Sequence, residues 1–191
     1  VVDRETASTR GEPFESLIEA RQYLPNPVAR FCTQELKVLR IRDWMKAQFG
    51  HTDWLNIIGI RSDEQRRVAK MRKDGRNVMP IADAGETVQD VFEFWQQQNF
   101  DLELPNNGGI TDWGNCDLCF LKGFKKKLSI VKARPDLADW WSDMETRIGK
   151  EQKAGTFRSD QPAYADMKVM ATSQGQLFDF DDETIPCFCG D

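Results

Sequence analysis

The sequence predicts a helix-rich α/β fold, and two patterns carry this prediction. Residues 55–60 form a short, β-branched and nearly all apolar run, which is typical of a strand covered on both faces of a parallel sheet. This run leads directly into a helical pattern, and strand followed by helix is the repeating unit of α/β proteins. Most other periodic segments place apolar residues three and four positions apart, as helices do. We therefore expect a parallel sheet with flanking helices and a helix-rich carboxyl-terminal part.

Two helices are predicted ahead of the strand. Pro13 suits a first helical turn, and the apolar spacing behind it predicts a short helix that ends before Pro25. A second helix is predicted over 33–49, where Gly50 provides the stop signal. Its predicted apolar face consists of Val38, Ile41, Met45 and Phe49.

After the strand, capping residues mark two further helices. Ser62 and Gln65 have the spacing of a capping box and predict the start of a basic helix. Residues 77–82 predict a second short strand, and Thr87 is expected to cap the helix that follows. The apolar stripe of that helix consists of Val88, Val91, Phe92 and Trp95.

The carboxyl-terminal part is predicted to be helical. A turn is expected at 106–109, and helices at 122–133 and 136–148 are separated by Pro135. A short helix at 163–171 precedes an acidic tail. The predicted core face of the 136–148 helix consists of Leu137, Trp140, Trp141, Met144 and Ile148.

Composition excludes several classes of function. The 191 residues include 26 Lys and Arg against 31 Asp and Glu, a net charge of −5, which disfavours a globally basic nucleic-acid binder. The single histidine, His51, excludes metal sites that need two histidines. No apolar run approaches the ~20 residues of a membrane span, so no membrane association is expected.

Five cysteines, at positions 32, 116, 119, 187 and 189, are the strongest chemical signal. Their odd number and the absence of a secretory signal predict reduced thiols and a cytoplasmic location. The C-x-x-C spacing of Cys116 and Cys119 on a turn lets two thiolates reach one metal centre. Cys32 and one of Cys187 and Cys189 would complete four ligands, which suit either an iron–sulfur cluster or zinc. Alternatively, Cys32 is a small buried apolar residue without a ligand role.

Two basic segments are also present. Residues 61–76 hold seven bases and three acids, and residues 122–134 hold six bases and no acid. Solvated helix faces account for most of these charges. Arg61 differs because it stands at the carboxyl end of the predicted strand, where open α/β sheets bind ligands. Its guanidinium is suited to phosphate or sulfate.

Several segments together resemble a known family. They are RFCTQELK at 30–37, IGIRSDEQRR at 58–67, MPIAD at 79–83, VQDVFEFW at 88–95 and GNCDLCFLKG at 114–123. This order is the one found in phosphoadenosine phosphosulfate (PAPS) reductases, and the terminal Cys-x-Cys is similar to that of a PAPS-reductase-like subgroup of phages and bacteria. The resemblance covers residues 1–148 and the last five residues.

The resemblance implies an adenine nucleotide alpha-hydrolase-like fold, a Rossmann-like parallel sheet with helices on both faces. It implies a [4Fe-4S] cluster on Cys32, Cys116 and Cys119, with Cys187 or Cys189 as the fourth ligand. Cys189 occupies the place of the nucleophilic thiol in the reductases. The residues expected to bind an anionic substrate are Arg30, Lys37, Arg61 and Arg66.

The implied organisation has two parts. Residues 1–100 would be the carboxyl-terminal portion of the nucleotide-binding domain, and residues 101–191 a helical, cysteine-bearing region with an acidic tail. The Ser-Gly-Gly-x-x-Ser pyrophosphate loop of the family does not occur, and its expected place is upstream of Val1.

The function expected from the resemblance is nucleotide-dependent sulfur or redox transfer with the cluster. The substrate would be an adenine nucleotide or a PAPS-like molecule, and a nucleic acid or a thiol protein would be the partner. The alternative is a zinc-stabilised module, without enzymatic activity, that binds nucleic acid or protein. The two alternatives differ in metal content.

Overall fold

The computed structural model describes residues 11–101, 103–114, 116–149 and 155–173. The described residues form two compact units. The first unit contains residues 11–41 together with the described residues from 116 onward, and the second contains residues 42–114. Neither junction between the units coincides with the predicted domain boundary at residue 100, which stays a prediction.

Helices dominate the described residues. A π-helical turn, Gln34–Val38, joins the second helix to the third. The α-helices are α1 (Glu12–Arg21), α2 (Phe31–Thr33), α3 (Leu39–Phe49), α4 (Gln65–Met71), α5 (Pro80–Asp83), α6 (Val88–Gln96), α7 (Phe124–Ala133), α8 (Leu137–Arg147) and α9 (Tyr164–Thr172).

The core of the first unit lies where α9 packs against α7 and α8. Its centre is aromatic: the Trp141 ring stacks on Tyr164 at 5.1 Å between centroids and meets Phe157 edge-on at 4.9 Å. Met144 and Met167 fill the space around these rings and are fully buried. The predicted core face of the 136–148 helix is thus confirmed at Trp141, Met144 and Ile148.

Helix α1 belongs to the same unit and begins as predicted, with Pro13 in its first turn. Phe14 contacts Trp140 at 5.3 Å between ring centroids. Arg147 at the end of α8 pairs with Glu15 and, at 2.9 Å, with Glu19. Apolar and ionic contacts therefore both fasten α1 onto α8.

The second unit contains a small parallel sheet. Strand β1 (Asn56–Ile57) pairs with β2 (Asn77–Val78) in the register Asn56 with Asn77. Leu55 and Ile57 are 68% and 79% exposed, so the prediction of a strand covered on both faces is wrong for the described residues. The sheet formed by these residues has two strands, so both are edge strands.

Two local predictions near this sheet are also wrong. The 77–82 strand stops at Val78 because Pro80 starts helix α5, a position that suits a residue without an N–H group. Ser62 does not cap α4, whose first flanking residue is Glu64. Its hydroxyl donates instead to the carbonyl oxygens of Gly85 and Glu86, at 2.7 and 2.8 Å.

The predicted helices 33–49 and 88–95 form, but their apolar faces are open. Thr87 and Asp90 make the capping box at the start of α6. Ile41 and Phe49 on α3 are more than half exposed, and Trp95 on α6 is 46% exposed. The structure is thus a helix-rich mixed α and β arrangement, and the Rossmann-like sheet stays an expectation. Within the described ranges, no helix is long and apolar enough to cross a membrane.

Candidate functional site

The C-x-x-C segment is a tight turn held by its own backbone and by the core. The Cys119 amide donates to the Cys116 carbonyl oxygen at 3.3 Å, as the sequence predicted for a turn. Leu118 and Phe120 are 0% and 1% exposed, so they anchor the turn in the apolar core. Cys116 is left exposed and Cys119 half-buried.

Buried polar side chains of α7, α8 and α9 stabilise this turn. The Tyr164 hydroxyl donates to the Leu118 carbonyl oxygen at 2.5 Å. The Glu145 carboxylate accepts from the Tyr164 amide at 2.9 Å and from the Phe157 amide at 3.1 Å. The Lys127 ammonium lies 4.8 Å from the centroid of the Tyr164 ring. The sequence analysis missed Tyr164, Glu145 and Lys127, because isolated polar residues on amphipathic helices are usually exposed.

Cys32 reaches the same unit from a different part of the chain. It lies in α2 and is half-buried. The π-helical turn Gln34–Val38 follows it directly. Such single π-helical turns are rare and occur frequently at functional sites.

The three described thiols influence one another electrostatically. Burial raises the pKa of the Cys119 thiol to about 11, and the charges of Cys116 and Cys32 add to this effect, while Lys122 opposes it. Burial also raises the pKa of Cys32, again with a contribution from Cys116. The three thiols therefore share one neighbourhood, which we call the thiol site.

The thiol site is compatible with part of a cluster ligand set. Among the described residues, no group of three or more His, Cys, Asp or Glu could hold a single metal ion. A [4Fe-4S] cluster binds four thiolates, each on its own iron, so its ligands surround a shared space rather than one ion. Two half-buried thiols, Cys32 and Cys119, and the exposed Cys116 in one neighbourhood are compatible with that requirement. Cys187 and Cys189, the candidates for the fourth ligand, lie outside the described residues.

The predicted anion-binding residues are distributed over both units. Arg30, half-buried, and Lys37, exposed, belong to the first unit. Arg61 and the exposed Arg66 belong to the second.

The Arg61 guanidinium is held by two carboxylates of its own unit. Its Nε donates to Asp63 at 3.0 Å, and Nη1 lies 3.6 Å from the Glu64 carboxylate. These contacts fix the orientation of the guanidinium and offset its charge.

The second unit also contains an open groove of about 520 Å³ beside α6, which we call the α6 groove. The sequence analysis identified the apolar stripe of α6 but not the groove, because periodicity does not show whether an apolar face is covered. Residues that line the groove include Arg61, Val88, Phe92, Trp95, Phe100 and Asp101.

Comparison with known proteins gives one informative similarity. No family model matches the chain, and no solved structure matches it. A protein of Escherichia phage lambda, named "Uncharacterized nin region protein ORF290", is 30% identical over 115 residues, or 60% of this chain. The chain spans 37% of the length of that relative. The relative is a phage protein, which agrees with the phage or bacterial setting of the subgroup that the sequence resembles.

Proposed function

We propose that the chain takes part in nucleotide-dependent sulfur or redox transfer, and that its thiols hold a [4Fe-4S] cluster. Cys32, Cys116 and Cys119 would be three ligands, and Cys187 or Cys189 the fourth. If Cys187 is the ligand, Cys189 remains as the reactive thiol. When bound, such a cluster would supply one-electron transfer.

The gathering of Cys32 with Cys116 and Cys119 is the observation that supports this proposal most. The residues between Cys32 and Cys116 make up the second compact unit and parts of the first. A mutual influence of thiols so far apart in sequence needs the fold to bring them together. Buried cysteines without a ligand role are usually isolated from one another, whereas a cluster requires convergence.

The charge around the turn favours bound thiolates. Lys122 is 8% exposed, and its charge lowers the pKa of Cys119. Lys122 lies two residues before the start of α7, which carries Lys125, Lys126, Lys127 and Lys132 and no acid. Positive charge of this kind offsets the negative charge of a cluster held by four thiolates.

The nucleotide part of the proposal rests on the basic residues. Arg61 has an oriented guanidinium, and its five N–H groups exceed what Asp63 and Glu64 occupy. Such a group suits a phosphate or sulfate oxygen. Arg66, which belongs to the same unit, would be its partner in neutralising an adenine nucleotide or a PAPS-like substrate.

Metal analysis tests the proposal. The full chain is purified without oxygen, and iron, acid-labile sulfide and zinc are measured together with the absorption spectrum near ~400 nm. We expect iron and sulfide in equal amounts, with loss of both in Cys116→Ser. Cys187→Ser and Cys189→Ser form a matched pair, since only the variant that removes the fourth ligand should lose the cluster.

Two outcomes would contradict the proposal that the thiols hold a [4Fe-4S] cluster. Stoichiometric zinc without sulfide would favour the zinc-stabilised binding module, for which the C-x-x-C turn is a suitable ligand pair. A colourless chain with neither metal, whose stability is unchanged in Cys116→Ser, would leave the cysteines without a ligand role.

A further inference from the structure

We propose that the α6 groove docks a basic, amphipathic polypeptide segment of a partner protein. This inference goes beyond the proposed function and does not depend on the thiols. Three properties of the groove support it: an open apolar face, a preformed shape and a one-sided charge.

The apolar face of α6 is open to solvent. None of the α6 residues is buried, although Val88, Phe92 and Trp95 lie on one side of the helix and line the groove. Trp95 is 46% exposed, and Phe100, which also lines the groove, is 58% exposed. Contiguous exposed side chains of this size mark interaction surfaces more often than ordinary surface. Tryptophan is also among the residues that contribute most to binding energy in interfaces.

The groove is held in shape by its own backbone. The turn at 107–110 closes with reciprocal hydrogen bonds between Asn107 and Ile110, at 2.8 and 3.1 Å. Gly109 packs so closely on α6 that a Cβ there would lie 2.9 Å from the Cβ of Phe92. The Thr87 capping box fixes the other end of α6. Because the groove already has its shape, few of its residues need to become ordered on binding, and this lowers the free-energy cost of docking.

The negative charge near the α6 groove favours a basic occupant. Residues 77–114 contain no Lys or Arg and seven acids. Among the described lining residues Arg61 is basic, and two carboxylates already pair with it. A nucleic acid strand would meet repulsion here, whereas lysines flanking an apolar segment would meet acids next to the groove. Of these acids, Asp101 lines the groove, and Asp90, Glu93, Glu103 and Asp112 each adjoin a lining residue in the sequence. Asp83 is already paired with Arg72 at 2.6 Å, and Glu86 is the seventh acid.

A helix with one apolar side fits such a groove. Its apolar anchors would contact Phe92, Trp95 and Phe100, in the manner of other helix-in-groove complexes. Trp95 meets both Phe94 and Phe100 edge-on, at 5.4 and 5.6 Å between ring centroids. The three rings form one exposed aromatic cluster that an apolar anchor or a lysine ammonium can contact.

A designed peptide tests the proposal. The probe is a fluorescein-labelled peptide of about 18 residues, built of Leu and Lys in helical spacing, long enough to form a helix when bound. Fluorescence anisotropy against the full chain should show binding that weakens with salt. The same peptide with Glu in place of Lys should bind at least about tenfold more weakly, or ~1.4 kcal/mol.

The affinities of variants show whether the peptide binds in the α6 groove or only to the acidic surface in general. Trp95→Ser and Phe100→Ser should each weaken binding by about tenfold or more, because they remove contacts in the groove. Phe49→Ser is the matched control: Phe49 belongs to the same unit and is 55% exposed, but does not line the groove. Its affinity should stay within about twofold of the parent chain. Cys116→Ser should also bind as the parent chain does, which keeps this test apart from that of the cluster.

Several results would overturn the proposal. One is equal loss of affinity in Phe49→Ser, and another is tight binding of the Glu peptide. If no peptide binds, two measurements identify what covers the groove. Light scattering gives the oligomeric state, and acrylamide quenching, compared with that of Trp95→Phe, shows whether Trp95 is protected. A dimer with Trp95 protected would assign the groove to a second copy, and a monomer with Trp95 protected would assign it to another segment of this chain.

Discussion

Tyr164 holds the turn that carries Cys116 and Cys119 through one buried hydrogen bond. Its hydroxyl donates to the Leu118 carbonyl oxygen, and the side chain is 1% exposed. Tyr164→Phe would leave that carbonyl without its partner in an apolar surrounding. We expect a loss of about 1–3 kcal/mol in the free energy of unfolding, measured by urea denaturation.

The same variant should loosen the turn. In the chain stripped of metal, the half-buried Cys119 is expected to react faster with a thiol reagent in Tyr164→Phe than in the parent chain. Tyr23→Phe is the control, since Tyr23 is 40% exposed and its hydroxyl accepts a hydrogen bond from the Asn26 side chain at 2.7 Å. If both variants change stability and Cys119 reactivity equally, Tyr164 has no special part in supporting the turn.

At the scale of elements, the contact between α6 and the 107–110 turn depends on a glycine. Gly109 has a φ of +81°, and an added Cβ would also meet Phe92. Gly109→Ala therefore combines backbone strain with overpacking. Gly85→Ala isolates the first effect, because Gly85 has a φ of +83° and no atom within 4 Å of an added Cβ.

We expect Gly109→Ala to destabilise the chain by about 1–3 kcal/mol more than Gly85→Ala in thermal or urea unfolding. It should also weaken the peptide binding assigned to the α6 groove. Equal destabilisation by the two substitutions would show that the turn does not pack on α6 in solution.

Local elements were the part of the fold that could be predicted from the sequence. The helices α1, α8 and α9 have strong signals of their own: Pro13 in a first turn, Pro135 between two helices, and apolar residues at helical spacing. Capping at Thr87 was predicted for the same reason, because a capping box is complete within four residues. Ser62 and Gln65 have that spacing too, but Ser62 bonds across to Gly85 and Glu86. Tertiary contacts therefore override a local signal where a partner lies nearby.

At the scale of the whole molecule, the hydrophobic periodicity of the sequence did not predict which apolar residues are buried. The β-branched run around Ile57 and the apolar stripe around Trp95 have the composition of core elements, yet Leu55, Ile57 and Trp95 are exposed. Periodicity identifies the apolar face of an element but not what covers it. The C-x-x-C turn was predictable from spacing. The approach of Cys32 depends on the tertiary fold, so the sequence could offer Cys32 only as a candidate ligand.

The most direct test of the account is whether Cys32 meets the C-x-x-C turn in solution. The metal-free, reduced chain carrying Cys187→Ser and Cys189→Ser is treated with a short bifunctional maleimide, and linked peptides are identified by mass spectrometry. We predict a link from Cys32 to Cys116 or Cys119 in the folded chain. In urea that link should disappear. The link between Cys116 and Cys119 should persist, because the two residues are three positions apart in the sequence. A folded chain in which Cys32 is modified but joined to neither would contradict a shared thiol site.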